Sequence, residues 1–117
     1  MSLKQKMMEI ILTDRFNSLV KKLGRTYRRI ADDVDGLVDD LEDGRTPGDR
    51  LQDVGGAEVY KVRLRNTSAR LSKRDGFRVV YHVGETAITL LVICQKPRCA
   101  DVQPVRIRHL MNELNLT

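Results

Sequence analysis

Apolar and polar residues alternate along the chain in two distinct periods. The stretch from Met7 to Leu12 reads Met-Met-Glu-Ile-Ile-Leu and stops at Thr13 and Asp14, which predicts a short strand feeding a helix. From Asp14 the apolar residues Phe16, Leu19, Val20 and Leu23 recur at intervals of three and four, with Gly24 as a C-terminal stop, so a short amphipathic helix is expected. A second helix is expected from near Thr26. Tyr27, Ile30, Val34, Leu37, Val38 and Leu41 lie on one face and a run of carboxylates on the other, and Gly44 closes it. Helices joined this closely fold back as an αα-hairpin with their apolar stripes turned to one surface. Thr46, Pro47, Gly48, Gly55 and Gly56 then punctuate a loop of about a dozen residues, after which the period drops from 3.6 to 2. Strands are expected over residues 58–65, 77–83 and 87–95, with Gly84 and Glu85 making a tight hairpin between the last two. Val102, Val105, Leu110, Met111 and Leu114 predict a closing helix that tolerates Pro104 only in its first turn. The predicted fold is α+β, a small antiparallel sheet of about four strands with the helical hairpin packed on one face and a short C-terminal helix.

At 117 residues the chain is expected to form a single domain over 1–117, and 41% hydrophobic against 32% charged residues suits a compact globule. The longest apolar run, residues 87–94 interrupted by Thr89, falls far below the roughly 20 residues of a membrane span. Lys4, Gln5, Lys6 and Glu9 interrupt any secretory leader, so a cytoplasmic location without a membrane partner is expected. Cys94 and Cys99 belong to no CxxC or CxxH spacing and are expected to be reduced and structural.

Charge redraws this picture because it is segregated. The net value of +5 hides a basic N-terminal segment, residues 1–31, with eight cations against two carboxylates, and an acidic block, residues 32–58, with ten carboxylates against two cations. Residues 59–98 then carry nine cations against Asp75 and Glu85 alone, while residues 99–117 balance. A basic region this concentrated calls for a polyanionic partner, a nucleic acid or an acidic protein segment.

Within it, the segment Val59-Tyr60-Lys61-Val62-Arg63-Leu64-Arg65 places Tyr60, Val62 and Leu64 on one face of a strand and Lys61, Arg63 and Arg65 on the other. A run of like charges is commonly no more than a solvated sheet face. Here the next strand repeats the pattern, with Phe77, Val79, Tyr81 and Val83 facing the core and Arg78 and His82 opposite. Antiparallel pairing of the two strands would gather Lys61, Arg63, Arg65, Arg78 and His82 on one patch. Such a patch suits phosphodiester chemistry on RNA, in which a 2′-hydroxyl loses a proton, the phosphorane gathers negative charge and the leaving oxygen is protonated. Arginine clamps phosphate oxygens, and a lysine crowded by other cations becomes a usable base, so Lys61 is the candidate base. His82 is either a titrating participant or a bystander at a strand end. Tyr81 falls on the apolar parity and is assigned to the core. The carboxylates of the second helix have the spacing of a solvated face, and neither a metal nor any other cofactor is expected.

These segments, together with Gly76-Phe77-Arg78-Val79-Val80-Tyr81 and the apolar strand ending at Gln95-Lys96, resemble the RelE/ParE superfamily of toxins from bacterial type II toxin–antitoxin systems, in its RelE-like branch. The resemblance covers nearly the whole chain in element order. It implies a RelE-like fold and a ribosome-dependent endoribonuclease (mRNA interferase) that cleaves messenger RNA by 2′-hydroxyl attack and inhibits translation. The implied partners are a cognate antitoxin protein, the ribosome and mRNA. Carried over by position, Lys61 and Arg63 match the family's paired basic residues and Arg78 its phosphate-binding arginine. Active members place an arginine after the residue matching Lys96, and further on a base-stacking tyrosine; this chain has Pro97 and Gln103 there, with Arg98 as the nearest replacement for the arginine. Lys96 and the long 66–76 loop, with Arg70, Lys73 and Arg74, are expected to add RNA contacts beside Arg65 and His82. The same resemblance admits a non-nuclease ParE-like toxin that binds DNA gyrase, or a catalytically inactive antitoxin-binding member.

Overall fold

The computed structural model describes residues 8–116; Met7, at the head of the first expected strand, lies outside the described residues. In chain order the elements are β1 (Glu9–Leu12), α1 (Asp14–Gly24), α2 (Ile30–Glu42), β2 (Asp49–Arg50), β3 (Val59–Leu64), β4 (Phe77–Val83), β5 (Ala87–Gln95) and α3 (Pro104–Glu113), with 3-10 turns at Lys73–Asp75 and Ala100–Val102. The strands form one sheet in the order β1-β5-β4-β3-β2. This sheet has five strands, where about four were expected, and it is mixed, because β1 runs parallel to β5. Periodicity reveals that a segment is a strand but says nothing of its direction of pairing. Here the connection between the two parallel strands, residues 13–86, contains the helical hairpin and the strands β2, β3 and β4. The extra strand, β2, is two residues long within the expected loop and pairs Asp49 with Lys61 and Arg50 with Tyr60. Gly48, at φ +103°, makes this pairing possible, since a Cβ there would lie 2.5 Å from the Lys61 carbonyl oxygen.

Thr13 joins the first strand to the first helix. Its hydroxyl oxygen accepts from the Phe16 amide at 3.0 Å, capping α1, and its hydroxyl donates to the Leu90 carbonyl at 3.0 Å, fixing α1 to β5. Asp14 in the first turn and Lys21 and Lys22 in the last complement the helix dipole. The second helix starts at Ile30, later than the expected Thr26, because the Thr26 and Tyr27 amides bond to the Leu23 carbonyl and close a turn after α1. Tyr27 then meets Phe77 edge-on, with ring centroids 5.7 Å apart.

Both faces of the sheet are covered. Phe16, Ile30, Val34, Leu37 and Leu41 of the hairpin pack on Val62, Leu64, Phe77, Val79, Tyr81, Ile88, Leu90 and Ile93. On the other face Ile107 and Met111 of α3, with Val102 and Val54, pack on Val59, Val80, Leu91, Val92 and Cys94. The register between β4 and β5 passes from Val80–Val92 to Tyr81–Leu90, so Leu91 is the extra residue of a bulge. The bulge turns Leu91 and Val92 to the same face, and burial of the strand on both faces explains why the β5 sequence reads as a nearly unbroken apolar run. The hairpin turn is Glu85-Thr86, with Gly84 inside the ladder through its amide bond to the Ala87 carbonyl at 2.8 Å.

Two further expectations are corrected. The closing helix buries Ile107 and Met111, whereas Val105 is 64% exposed. The chain passes from Val102 into α3 through the 3-10 turn and Pro104, which shifts the phase of the apolar stripe between Val102 and the helix. The cysteines, expected to be reduced, are joined as a Cys94–Cys99 disulfide with Cα atoms 5.3 Å apart. The turn between them, closed by the Arg98 amide on the Gln95 carbonyl at 2.8 Å, folds the chain back over the end of β5. Counting cysteines cannot register such a turn.

If α3 is held by its buried side chains, Ile107→Ala should lower stability by about 2–5 kcal/mol while Val105→Ala changes it by less than about 0.5 kcal/mol, as read from urea unfolding midpoints. Equal effects of the two would contradict the observed phase of the helix.

Candidate functional site

The register of β3 on β4 sets the site. Arg63 stands directly opposite Arg78 and Lys61 opposite Val80, all pointing away from the helical hairpin. This is the face that α3 covers, but only in part. Val59, Val80, Leu91 and Val92 lie under α3 and the 51–57 loop, whereas Arg63 is exposed and Lys61 half-buried. The uncovered part of the face is thus the part bearing cations.

Arg78 is 9% exposed. Its guanidinium donates to the carbonyls of Lys73 at 3.1 Å, Phe77 at 3.2 Å and Arg74 at 2.7 Å, which satisfies carbonyls of the 3-10 turn Lys73–Asp75. Burial, then the positive charge of Arg63, push its pKa below the ordinary arginine value, with Asp75 opposing. Two arginines at directly opposed positions, neither of them in an ion pair among the described residues, are poorly arranged for stability and well arranged to attract an anion.

The same turn brings the loop cations together. Arg65, Arg70, Lys73 and Arg74 line a groove of about 630 Å³ with Thr67, Leu71 and Ser72. The loop itself is ordered by bonds the sequence does not advertise. Asn66, fully buried, donates through Nδ2 to Gln95 Oε1 at 2.7 Å and accepts the Ala69 amide at 3.1 Å. Gln95 Nε2 in turn donates to the carbonyls of Asp75 at 2.8 Å and Lys96 at 2.9 Å. Asp33 of α2, expected to be merely solvated, accepts the Thr67 amide at 3.0 Å and its hydroxyl at 2.5 Å. Lys96 reaches the same turn, with Nζ 3.3 Å from the Arg74 carbonyl oxygen and 3.7 Å from Asp75.

Two expected members stand apart. Arg98 lines a different groove, of about 670 Å³, at the part of β5 beyond β1, with Lys22, Tyr27 and Lys96. His82 shares the parity of Arg78 but pairs with Val59 four residues along β4, roughly 13 Å away at strand spacing, with buried Val80 between them. Its Nδ1 is buried without a hydrogen-bond partner, and burial lowers its pKa against the opposing charge of Glu58. Tyr81 is fully buried, stacked 5.4 Å from Tyr60, with its hydroxyl donating to the Pro47 carbonyl. Burial, followed by Tyr60 and Glu58, raises its pKa, so it remains a protonated donor within the core. Among the described residues no group of three or more His, Cys, Asp or Glu is placed to hold a metal ion, and no helix is long and apolar enough to cross a membrane.

No protein-family model matches the chain, and neither does any curated protein sequence. Solved structures do match. A free-state mutant of the E. coli toxin RelE, carrying two arginine-to-alanine substitutions, superposes with a TM-score of 0.54 at 24% identity, covering 82% of this chain and 90% of that one. The chain therefore has a RelE-like α+β fold.

Removing the buried amide in Asn66→Ala should destabilise the protein by about 1–3 kcal/mol and raise amide exchange across residues 66–76, since Gln95 Oε1 and the Ala69 amide lose their partner. Wild-type exchange in that loop would count against the network. For His82, the folded pKa lies below the unfolded value of 6.5, so the unfolded state binds more protons in acid. The stabilising effect of the neutral form is fully present above 6.5 and is lost as pH falls through the folded pKa. Unfolding in urea at about pH 8 and about pH 5 should show His82→Gln less acid-sensitive than wild type; identical pH dependence of the two would show that His82 does not contribute.

Proposed function

We propose that this protein is the toxin of a type II toxin–antitoxin pair and acts as a ribosome-dependent mRNA endoribonuclease. The observation that carries the reading is the Arg63–Arg78 cross-strand pair beside Lys61 on the part of the sheet that α3 leaves open. The RelE-like fold supports it. In the proposed reaction Lys61 takes the proton of the 2′-hydroxyl as its oxygen attacks phosphorus, the bond from phosphorus to the 5′-oxygen breaks to leave a 2′,3′-cyclic phosphate, and the departing 5′-oxygen takes a proton from water. The exposed Arg63 then donates to the phosphorane oxygens. Arg78 lends its charge from beneath and holds the turn that carries Lys73 and Arg74. The groove of Arg65, Arg70, Lys73 and Arg74, with Lys96 beside it, takes RNA phosphates. Arg98, lying in the other groove, is assigned to backbone contact rather than to the leaving group. An antitoxin with an acidic segment would neutralise the protein by covering Lys61 and Arg63.

A second reading is a binding member of the same fold that does not cleave. The inward bonds of Arg78 favour it, since they leave fewer donors for substrate.

The two readings separate on programmed ribosomes. Lys61→Ala and Arg63→Ala should each reduce A-site cleavage by about 100-fold or more with folding retained, and His82→Gln should leave it unchanged. Undiminished cleavage by the Lys61→Ala/Arg63→Ala double variant would sink the nuclease reading, and absence of cleavage by wild type alongside ribosome or partner binding would favour the second. Neutralising Lys73 and Arg74 should also flatten the salt dependence of ribosome association by about one unit of log–log slope per cation.

A further inference from the structure

We propose that Cys94 and Cys99 form a reversible thiol–disulfide exchange site whose oxidised form tethers the turn carrying Lys96 and Arg98, and the start of α3, to the end of β5. The inference stands apart from the nuclease reading and requires no cleavage. It rests on three features. The first is an asymmetry of access, since Cys94 is buried at 7% exposure while Cys99 is half-exposed, so an incoming sulfur nucleophile reaches the Cys99 side. The second is a prepared site for the released thiol, because Cys94 Sγ lies 3.8 Å from the Arg78 carbonyl oxygen, an acceptor the S–H can use once the disulfide opens. The third is the sparse attachment of what the disulfide holds. Between the cysteines the Lys96 amide bonds to the Gly76 carbonyl at 3.2 Å, but past Lys96 the backbone bonds are local ones, Arg98 on Gln95, Cys99 on Pro97 and Val102 on Cys99, and beyond them Val102, Ile107 and Met111 are the buried anchors.

The exchange balances with a thiol reductant. A thiolate of the reductant attacks Cys99 Sγ, forming a mixed disulfide and expelling Cys94 as thiolate, which takes a proton from solvent. A second reductant thiol attacks the reductant's own sulfur in the mixed disulfide, releasing Cys99 as a thiol and the reductant as its disulfide. Two electrons pass to the protein and two reductant thiols are oxidised. The reverse reaction, with a disulfide oxidant, restores the tether. Opening it removes the covalent link that holds Arg98 over the groove shared with Lys22, so the cationic surface differs between the two redox states.

The full-length protein is compared oxidised and after treatment with dithiothreitol, with Cys94→Ser/Cys99→Ser as the reference that cannot form the bond. Without reductant, iodoacetamide should label neither cysteine, and with reductant both. Amide exchange across residues 96–107 should be at least about tenfold faster in the reduced protein, with α2 and β4 unchanged and the double variant matching the reduced form under both conditions. Labelling of both cysteines without reductant, equal exchange in the two states, or loss of protection throughout the sheet would each overturn the proposal, the last because the disulfide would then hold the whole fold rather than a local tether.

Discussion

Burial of β5 on both of its faces is the constraint from which the rest of the molecule is arranged. The strand pairs with β4 along its length and with β1 over its first four residues, and it carries the capping threonine's anchor at Leu90. Alternation lets one strand serve two cores, with Ile88, Leu90 and Ile93 facing the helical hairpin and Leu91, Val92 and Cys94 facing α3, and the bulge at Leu91 puts two consecutive residues on the α3 side. Unpaired polar backbone cannot be buried between two apolar layers, so such a strand must lie inside the sheet. Once it does, β1 is confined to one edge and β3 is placed two strands away on the other side.

The open cationic surface is a consequence of that arrangement. Helix α3 is short and covers only the part of the sheet where β3, β4 and β5 present Val59, Val80, Leu91 and Val92. Past it the same face changes from aliphatic to guanidinium at Arg63 and Arg78. Charge is tolerated there because one partner is solvated and the other is satisfied by the carbonyls of its own turn. An arginine that holds a turn together and raises the local potential serves both structure and anion attraction, and this places the loop cations in a fixed groove rather than on a free tail.

The amide pair Asn66–Gln95 completes the picture from beneath. A buried Asn is unfavourable without partners, and here the chain of bonds from Asn66 to Gln95 to the carbonyls of Asp75 and Lys96 joins the 66–76 loop to the end of β5. The loop is therefore positioned by the sheet, and its positive charges lie close to one another despite their repulsion.

Much of this was legible in residue order alone. The two periods separate helices from strands; the alternation in Tyr60–Arg65 determines that Lys61, Arg63 and Arg65 share a face, and Phe77–Val83 determines that Arg78 lies opposite the core. Those features are local, because side-chain direction in a strand follows position by two. What depended on distant segments was not legible: the parallel placement of β1, the strand at Asp49–Arg50 and the separation of Arg98 from the arginine pair; the Cys94–Cys99 closure and the inward bonds of Arg78 are short-range but depend on turns that no period registers. The first three follow from how elements far apart in the chain pack together. That is a property of packing in three dimensions, to which residue spacing along the chain carries no direct guide.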